Sequence, residues 1–209
     1  MNSHQLETIG NFLLNEQSHY RPELKFFGVF PRDKAPACAE VASYPACLIV
    51  NADNSNEAGS HWLALLYVTA MHAEFFDSYG LKPEFYSLEH LLPSATNAIT
   101  DLSVVQLQSD DSDVCGHYCI YFLFERAKCI PFHRIFNQFS LTNFIWNDTQ
   151  VTRIVEHNLV HKYVLYNSRY QASTFNVTHL CSAHNYHNPN SKCICKQKCV
   201  RKCNFHCNH

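Results

Sequence analysis

The order of two hydrophobic patterns along the chain constrains its fold more than any other feature. Short runs of aromatic and β-branched residues come first, and each is bounded by Pro, Asn, Asp, Gly or Ser, as is typical of β-strands. These runs cover residues 26–30, 46–51, 61–69, 73–77 and 102–108. From Cys115 onward, apolar residues recur at helical spacing instead. Strands followed by helices predict an α+β domain, in which one central mixed sheet packs against helices.

Helical patterns lie on both sides of these strands. A short amphipathic helix near the start places four apolar residues on one face: Leu6, Ile9, Phe12 and Leu13. A longer core helix is predicted from Cys115, because residues 111–114 supply residue types that cap helices. Two more helical patterns cover residues 132–139 and about 149–166. The α+β domain is therefore expected to span residues 1–170.

Residues 171–209 are interpreted as a separate basic, Cys/His-rich tail. Six of the 11 cysteines lie in residues 181–209, where there are five Lys or Arg and no Asp or Glu. The whole chain of 209 residues has a net charge of −2, so residues 1–180 retain 11 basic against 18 acidic side chains. An acidic domain is not expected to bind nucleic acid in general, so any nucleic-acid partner is assigned to the tail alone.

The tail leaves three alternatives open. Its cysteines recur every four residues at Cys195, Cys199, Cys203 and Cys207, and nearby histidines offer further metal ligands. Zinc is the metal that such ligands favour, although structural zinc sites usually combine close Cys pairs separated by roughly two to four residues. The tail is accordingly a metal-binding cluster, an unstructured basic segment or a nucleic-acid contact.

The N-terminal segment and the remaining cysteines indicate the compartment. The first ten residues contain neither a basic region nor an apolar core of the kind found in signal peptides. No run reaches the roughly 18 apolar residues of a membrane span, and five cysteines scattered over residues 1–180 do not form a disulfide framework. We therefore expect an intracellular protein of the nucleus or cytoplasm, neither secreted nor bound to a membrane.

Three residues at element ends form the set expected for nucleophilic catalysis. Cys115 lies at the first turn of a predicted helix, where the helix dipole favours a thiolate. His61 lies where a polar loop enters an apolar strand, so its imidazole is the candidate base. Asp77 ends what is predicted to be the next, antiparallel strand, and its carboxylate is placed to orient His61 and fix its tautomer.

Acyl transfer also requires donors for the oxyanion. Gln108 lies seven residues before Cys115, and its side-chain amide together with the Cys115 backbone N–H is predicted to supply them. Gln106 remains an alternative, since it lies on the same strand face. Cys119 follows one helical turn after Cys115 and is interpreted as core packing, so no metal site is predicted beside the nucleophile.

These motifs carry a family resemblance. The strings ACLIVN (46–51), GSHW (59–62), FDSYG (76–80) and Gln108 before CGHYC (115–119) resemble the adenain-type maturation proteases of adenoviruses, most of all those of Polinton (Maverick) elements. The order His, acid, Gln, Cys is shared with the ubiquitin-like-protein-specific proteases of the same superfamily. The resemblance covers roughly residues 1–140 and is compatible with an extension through 165.

The resemblance implies a papain-like active-site arrangement and a role for each matched residue. Cys115 is the nucleophile, His61 the general base or ion-pair partner, Asp77 its orienting acid and Gln108 an oxyanion donor. Trp62 corresponds to the Trp that walls a narrow substrate tunnel, and it is also suited to core packing. Adenain has Glu at the position of Asp77, whereas Asp is usual in the wider superfamily.

The resemblance further implies the substrates and partners. Such proteases cleave at Gly-Gly or Gly-X-Gly-like sites in precursor proteins of a virus or mobile element, some of them within the virion. No cofactor is required for their chemistry, although adenain is stimulated by DNA and by a short peptide. Here only the basic tail is suited to a DNA contact.

Two other functions remain as alternatives. An isopeptidase that removes a ubiquitin-like modifier would use the same residues with a broader docking surface, which the sequence does not locate. A non-catalytic metal- or nucleic-acid-binding module would keep the fold alone. The complete set of His61, Asp77, Gln108 and Cys115 argues against that module.

Overall fold

Five strands form a single mixed sheet whose spatial order follows the chain. They are β1 (Lys25–Pro31), β2 (Ala46–Asn51), β3 (Trp62–Thr69), β4 (His72–Phe76) and β5 (Ile99–Leu102). The outer pairs β1–β2 and β4–β5 are parallel, while β2–β3 and β3–β4 are antiparallel. The computed structural model describes residues 1–16 and 21–170, and residues Met1–Arg169 form one compact unit. The prediction of an α+β fold with a central mixed sheet is confirmed, whereas the tail, 171–209, lies outside the described residues.

Both faces of the sheet are covered. On one face, alternate residues of the central strands, such as Ile49 and Leu66, join the cluster that contains most of the helices' apolar residues. On the other face, Leu48 and Leu65 pack with apolar residues of the loops. Every residue of β2 is buried, since both faces of this strand are covered. Burial on both faces explains why the strand is apolar without alternation from Ala46 to Val50.

Within residues 1–16 and 21–170, four α-helices accompany the sheet. They are α1 (Ser3–Gly10), α2 (Cys115–Ala127), α3 (Phe132–Ile135) and α4 (Phe144–Tyr170). A π-helical stretch, Asn11–Glu16, continues α1, and short 3-10 turns occupy Arg32–Lys34, Cys38–Glu40, Pro83–Tyr86 and Glu89–Leu91. The helix α3 is shorter than the predicted 132–139, and α4 is longer than the predicted range of about 149–166. None of the helices that the structure describes has the length and apolarity needed to cross a membrane.

The helix α2 is the central helix of the domain. Ten of its 13 residues are buried, among them the aromatic residues Tyr118 and Phe122. Each fully buried large apolar side chain contributes about 1.5–3 kcal/mol relative to leaving it exposed. Phe122 stacks on Phe76 of β4, with ring centroids 5.0 Å apart. This packing fixes the helix, and hence its first residue Cys115, against the sheet.

A buried ion pair ties the far end of α2 to the sheet. The guanidinium of Arg126 donates from Nε and Nη2 to the two carboxylate oxygens of Glu74 on β4, each at 2.7 Å. The same guanidinium donates to the carbonyl of Ile130 just after the helix. A bidentate pair is more directional than a single contact, so it fixes the rotation of α2 as well as its position.

The edge of β1 is covered by side chains of the N-terminal helical segment. Glu7 accepts a hydrogen bond from the backbone N–H of Val29 at 2.7 Å. Asn15 accepts from the N–H of Phe26 at 2.9 Å and donates to its carbonyl at 3.2 Å. Backbone groups that would remain open at a sheet edge are thereby satisfied.

The last strand differs from its prediction. It ends at Leu102, whereas a strand was expected over residues 102–108. After Leu102 the chain leaves the ladder: the Ser103 hydroxyl contacts the backbone of Asp77, and the N–H groups of Leu107 and Gln108 both donate to the carbonyl of Ser78. The apolar pattern that suggested a longer strand includes Val104, which is exposed.

Candidate active site

Cys115 is the first residue of α2 and opens into a cleft. The preceding residue, Val114, caps the helix without a side-chain hydrogen bond. Gly116 allows α1 to approach this first turn, since a Cβ there would lie 3.1 Å from Cδ2 of Leu6. The Cys115 thiol is therefore held at a helix N-terminus, where the helix dipole favours its ionised form.

His61 lies immediately before β3 and faces Cys115. Its Nε2 lies 2.7 Å from Oδ1 of Asp77, and the imidazole lines the same cleft as the Cys115 thiol, with which it interacts. Because Nε2 is engaged by Asp77, Nδ1 is the nitrogen left for the sulfur. The imidazole ring lies against Tyr79 and Tyr86, with centroid distances of 4.8 Å and 5.8 Å. These rings restrict its rotation.

Asp77 follows the last residue of β4. Since β3 and β4 are antiparallel, with Ala64 opposite Phe76, the start of one strand and the end of the other meet at the same edge. The carboxylate of Asp77 is fully buried and accepts from four groups. They are His61 Nε2, the N–H groups of Tyr79 and Leu81, and the hydroxyl of Tyr86. Donors to both carboxylate oxygens fix the plane of the group.

The protonation of the His61–Cys115 pair is shifted towards two charges. Burial lowers the pKa of His61, but the hydrogen bonds to Asp77 and Cys115 outweigh it and raise that pKa to about 9. Burial raises the pKa of Cys115, yet its contact with His61 and the backbone N–H groups of Trp62 and Gly116 bring that pKa below its ordinary value. A raised pKa for His61 and a lowered pKa for Cys115 both favour a thiolate paired with an imidazolium.

Other described cysteines behave differently. Burial raises the pKa of Cys38, Cys47 and Cys119 above the ordinary thiol value. Cys119 lies one turn below Cys115, is fully buried and points into the core, as expected from the sequence. These three thiols are therefore expected to be poor nucleophiles.

Gln108 reaches the same cleft as His61 and Cys115, whereas Gln106 is not among the residues that line it. The side chain of Gln108 is buried, and its Oε1 accepts from the hydroxyl of Ser78 at 2.7 Å. Its Nε2 donates to the carbonyl of Ser112 at 2.8 Å and to the hydroxyl of Tyr79 at 3.3 Å. Gln106 instead donates to the backbone of Gln108 and to Asp110.

Trp62 forms part of the cleft wall and also packs on the core cluster. Its indole Nε1 donates to the carbonyl of Met1 at 3.1 Å. The cleft has a volume of about 680 Å³. Its lining also includes the N-terminal residues, the end of β1, the loop before His61, Tyr79, and Ser112 and Asp113. A cleft of this volume can hold several residues of an extended peptide.

The start of α4 anchors the loop that carries Gln108. Asn147 is fully buried, and its Nδ2 donates to the carbonyls of Leu107 and Ser140. The next residue, Asp148, accepts from the N–H of Ser109 at 3.2 Å and lies 3.0 Å from the hydroxyl of Tyr118. The residues before and after Gln108 are therefore both fixed by the first turns of α4.

Several of these supporting residues do not follow from the sequence. Tyr86, Ser103, Asn147 and Asp148 have no motif of their own. Ser78 and Tyr79 lie inside the FDSYG string directly after Asp77, so their hydroxyls had a signal in the sequence. That signal is their closeness to the candidate acid, and the sequence analysis assigned neither residue a role.

Among the described residues, one group of side chains could hold a metal, and it lies away from the cleft. His72, Glu74 and Asp101 bring their ligand atoms within 4.8 Å of one another. His72 begins β4, whereas Asp77 follows its last residue, so the two sites are at opposite ends of the strand. Both oxygens of Glu74 are bonded to Arg126, whose positive charge opposes a cation there. The zinc ligands considered in the tail lie outside the described residues.

Comparison with known proteins adds no assignment. Neither a protein-family model nor a curated protein matches this chain. The function is therefore argued from the arrangement of His61, Asp77, Gln108 and Cys115.

Proposed function

We propose that this protein is a cysteine endopeptidase with a papain-like active-site arrangement, related to the adenain-type proteases. One observation carries the proposal: Cys115 begins a helix and lines the same cleft as His61, whose Nε2 is held 2.7 Å from the buried carboxylate of Asp77. A nucleophile, a base and an orienting acid in this order are the parts that thiol proteases require.

The acylation step uses the charges already present in the cleft. The Cys115 thiolate adds to the scissile carbonyl carbon, and the carbonyl π electrons move to oxygen. The backbone N–H of Cys115 and a side-chain donor in the cleft stabilise the oxyanion. The His61 imidazolium then gives its proton to the amide nitrogen, the C–N bond breaks and the amine leaves. Cys115 is left as a thioester and His61 is neutral.

Deacylation restores the pair. Neutral His61 accepts a proton from water, and the resulting hydroxide attacks the thioester carbon. The C–S bond breaks, so that Cys115 leaves as a thiolate beside the imidazolium of His61. The carboxylate of Asp77 keeps its charge throughout and stabilises the imidazolium. We propose that this chemistry needs no metal or organic cofactor.

The substrate class is part of the same proposal. The resemblance to adenain-type proteases and the position of Trp62 in the cleft wall support cleavage at Gly-Gly or Gly-X-Gly-like sites. The corresponding partners are precursor proteins of a virus or mobile element, processed inside the cell or the virion. A reducing compartment would keep Cys115 free to react.

The test is cleavage of fluorogenic peptides carrying Leu-x-Gly-Gly and Leu-x-Gly-x sites by the full chain. We expect cleavage by the wild type, its loss in Cys115→Ser, and normal activity in Cys129→Ser, whose thiol is exposed. Parallel arms add DNA or an isopeptide-linked ubiquitin-like modifier. Cleavage of the modifier alone would favour the deconjugase. Intact substrate in every arm, together with alkylation of Cys115 no faster than that of Cys129, would favour the non-catalytic module.

A further inference from the structure

The side-chain amide of Gln108 has no hydrogen left for a substrate. The carbonyl of Ser112 can only accept, so the Gln108 atom 2.8 Å from it must be the amide nitrogen, Nε2. The hydroxyl of Ser78 donates to the oxygen of the same amide, Oε1, which agrees with this orientation. The second hydrogen of Nε2 is directed to the hydroxyl of Tyr79 at 3.3 Å. Both hydrogens of the amide therefore already have acceptors within the protein.

The hydroxyl of Tyr79 has its own hydrogen to donate. Its oxygen accepts from Gln108, and no other residue within 1–16 and 21–170 receives the hydroxyl proton. Tyr79 lines the cleft together with Cys115 and His61, and its ring lies against the imidazole. Burial raises the pKa of Tyr79, and the charge on Cys115 raises it further, so the phenol remains protonated at neutral pH.

We propose that Tyr79 is a catalytic residue whose hydroxyl donates a hydrogen bond to the oxyanion, while Gln108 orients that hydroxyl from behind. This inference rests on the proposed thiol-protease function. When the Cys115 thiolate adds to the carbonyl, the C–S bond forms and the π electron pair moves to oxygen. Tyr79 keeps its proton during the addition and stabilises the new charge. Gln108 is then a positioning residue, instead of the direct donor that the family resemblance implies.

The hydrogen-bond chain from Gln108 to Tyr79 also gives the hydroxyl a defined direction. A phenol oxygen that accepts on one side presents its hydrogen on another, and the cooperative chain makes that hydrogen a better donor. Removing one preorganised donor to an oxyanion typically lowers the rate by about 100-fold or more. Tyr79→Phe removes the hydroxyl alone and keeps the ring against His61, so it isolates this contribution.

Two reactions of the same thiol separate this role from a structural one. Acylation of Cys115 by p-nitrophenyl acetate passes through an oxyanion and needs no peptide specificity. Alkylation by iodoacetamide occurs at a saturated carbon and forms no oxyanion. The full chain is assayed in both reactions as wild type, Tyr79→Phe, Gln108→Ala, the double variant and Cys115→Ala. Tyr44→Phe is the matched control, because its hydroxyl bonds the carbonyl of Cys38, away from the cleft.

We expect Tyr79→Phe and Gln108→Ala each to slow acylation by about 100-fold. The double variant should be no slower than the slower single variant, since the two residues act in series. Alkylation should be unchanged in all three, and Tyr44→Phe should match the wild type in both reactions.

Two results would overturn the inference while leaving the protease intact. Wild-type acylation in Tyr79→Phe with slow acylation in Gln108→Ala would make Gln108 the direct donor. If Tyr79→Phe slowed acylation and alkylation equally, the hydroxyl would be acting on the reactivity of the Cys115 thiolate and not on the oxyanion. A third result, acylation of the wild type no faster than that of Cys115→Ala, would instead overturn the proposed function itself.

Discussion

Nε2 of His61 lies 2.7 Å from Oδ1 of Asp77, with the His61 side chain 9% exposed and the Asp77 side chain not exposed at all. An isosteric amide at position 77 would retain one acceptor oxygen for the donors that converge there. It would also present an N–H to Nε2 and so favour the wrong imidazole tautomer. We expect Asp77→Asn to lower peptide hydrolysis by about 1,000-fold or more. Steady-state kinetics measures the loss, and Asp101→Asn is the control. A loss below tenfold would contradict the orienting role.

Reactivity of Cys115 should persist to unusually low pH. Because the pKa of this thiol is lowered, the thiolate exists above that lowered value and is lost only as pH falls through it. As pH increases, the rate of alkylation by iodoacetamide should therefore begin to increase at a pH below the ordinary thiol range. In His61→Ala the main lowering cause is absent while burial remains, so the midpoint should move upward. Coincident midpoints in the two proteins would disprove the ion pair. Mass spectrometry assigns the labelled cysteine.

The rate of peptide hydrolysis should decline at alkaline pH, whereas the rate of Cys115 alkylation should not. His61 must be protonated to give a proton to the leaving amine, and its pKa is raised to about 9. Below that pH the imidazolium is present, and above it the proton is lost, so hydrolysis should decline there. Alkylation, which needs only the thiolate, should remain at its plateau. Parallel pH profiles for both reactions would argue against His61 as the proton donor.

Removal of the Asn147 side chain should loosen the loop that carries Gln108. Asn147→Ala removes the donor to the carbonyls of Leu107 and Ser140 and the acceptor of the Ser140 N–H. The Leu107 carbonyl keeps the hydroxyl of Tyr118, so the two groups of Ser140 lose their partner, at about 1–3 kcal/mol per buried unsatisfied group. We expect a lower free energy of unfolding and slower acylation, with alkylation less affected. Thr149→Ala, two residues further along the helix and exposed, is the control. Chemical denaturation measures stability, and equal stability of the two variants would refute the prediction.

The buried pair of Glu74 and Arg126 gives a prediction about stability alone. Arg126→Met leaves the carboxylate of Glu74 buried without its partner, which costs about 3–5 kcal/mol. Exchanging both residues, as Glu74→Gln with Arg126→Met, removes the uncompensated charge and should recover much of that loss. Thermal unfolding of the three proteins tests this. A double variant no more stable than Arg126→Met would contradict the electrostatic explanation.

The sequence predicts the main residues of the candidate site because each of them marks the end of an element. His61 precedes β3, Asp77 follows β4 and Cys115 begins α2. Antiparallel pairing of β3 with β4 brings the first two ends together, and this pairing follows from the short connection between the strands. The α+β class follows similarly from the order of strand and helix patterns.

The supporting residues could not be predicted because their contacts span long sequence separations. Asn147 meets Leu107 across 40 residues, and Ser78 meets Gln108 across 30. No periodicity or spacing records such a contact. The expected strand over 102–108 was wrong for a related reason. Its apolar pattern is real, but Ser103 and Leu107 bond the segment around Asp77 and Ser78 instead of extending the ladder.

The side chains along β1 have a consequence for how this protein meets other chains. Glu7 and Asn15 already bond the backbone of Val29 and Phe26. A second protein that sought to add a strand there would have to displace a carboxylate and an amide before forming its first backbone bond. That edge is thereby closed to aggregation by strand pairing, although β1 itself remains outermost in the sheet.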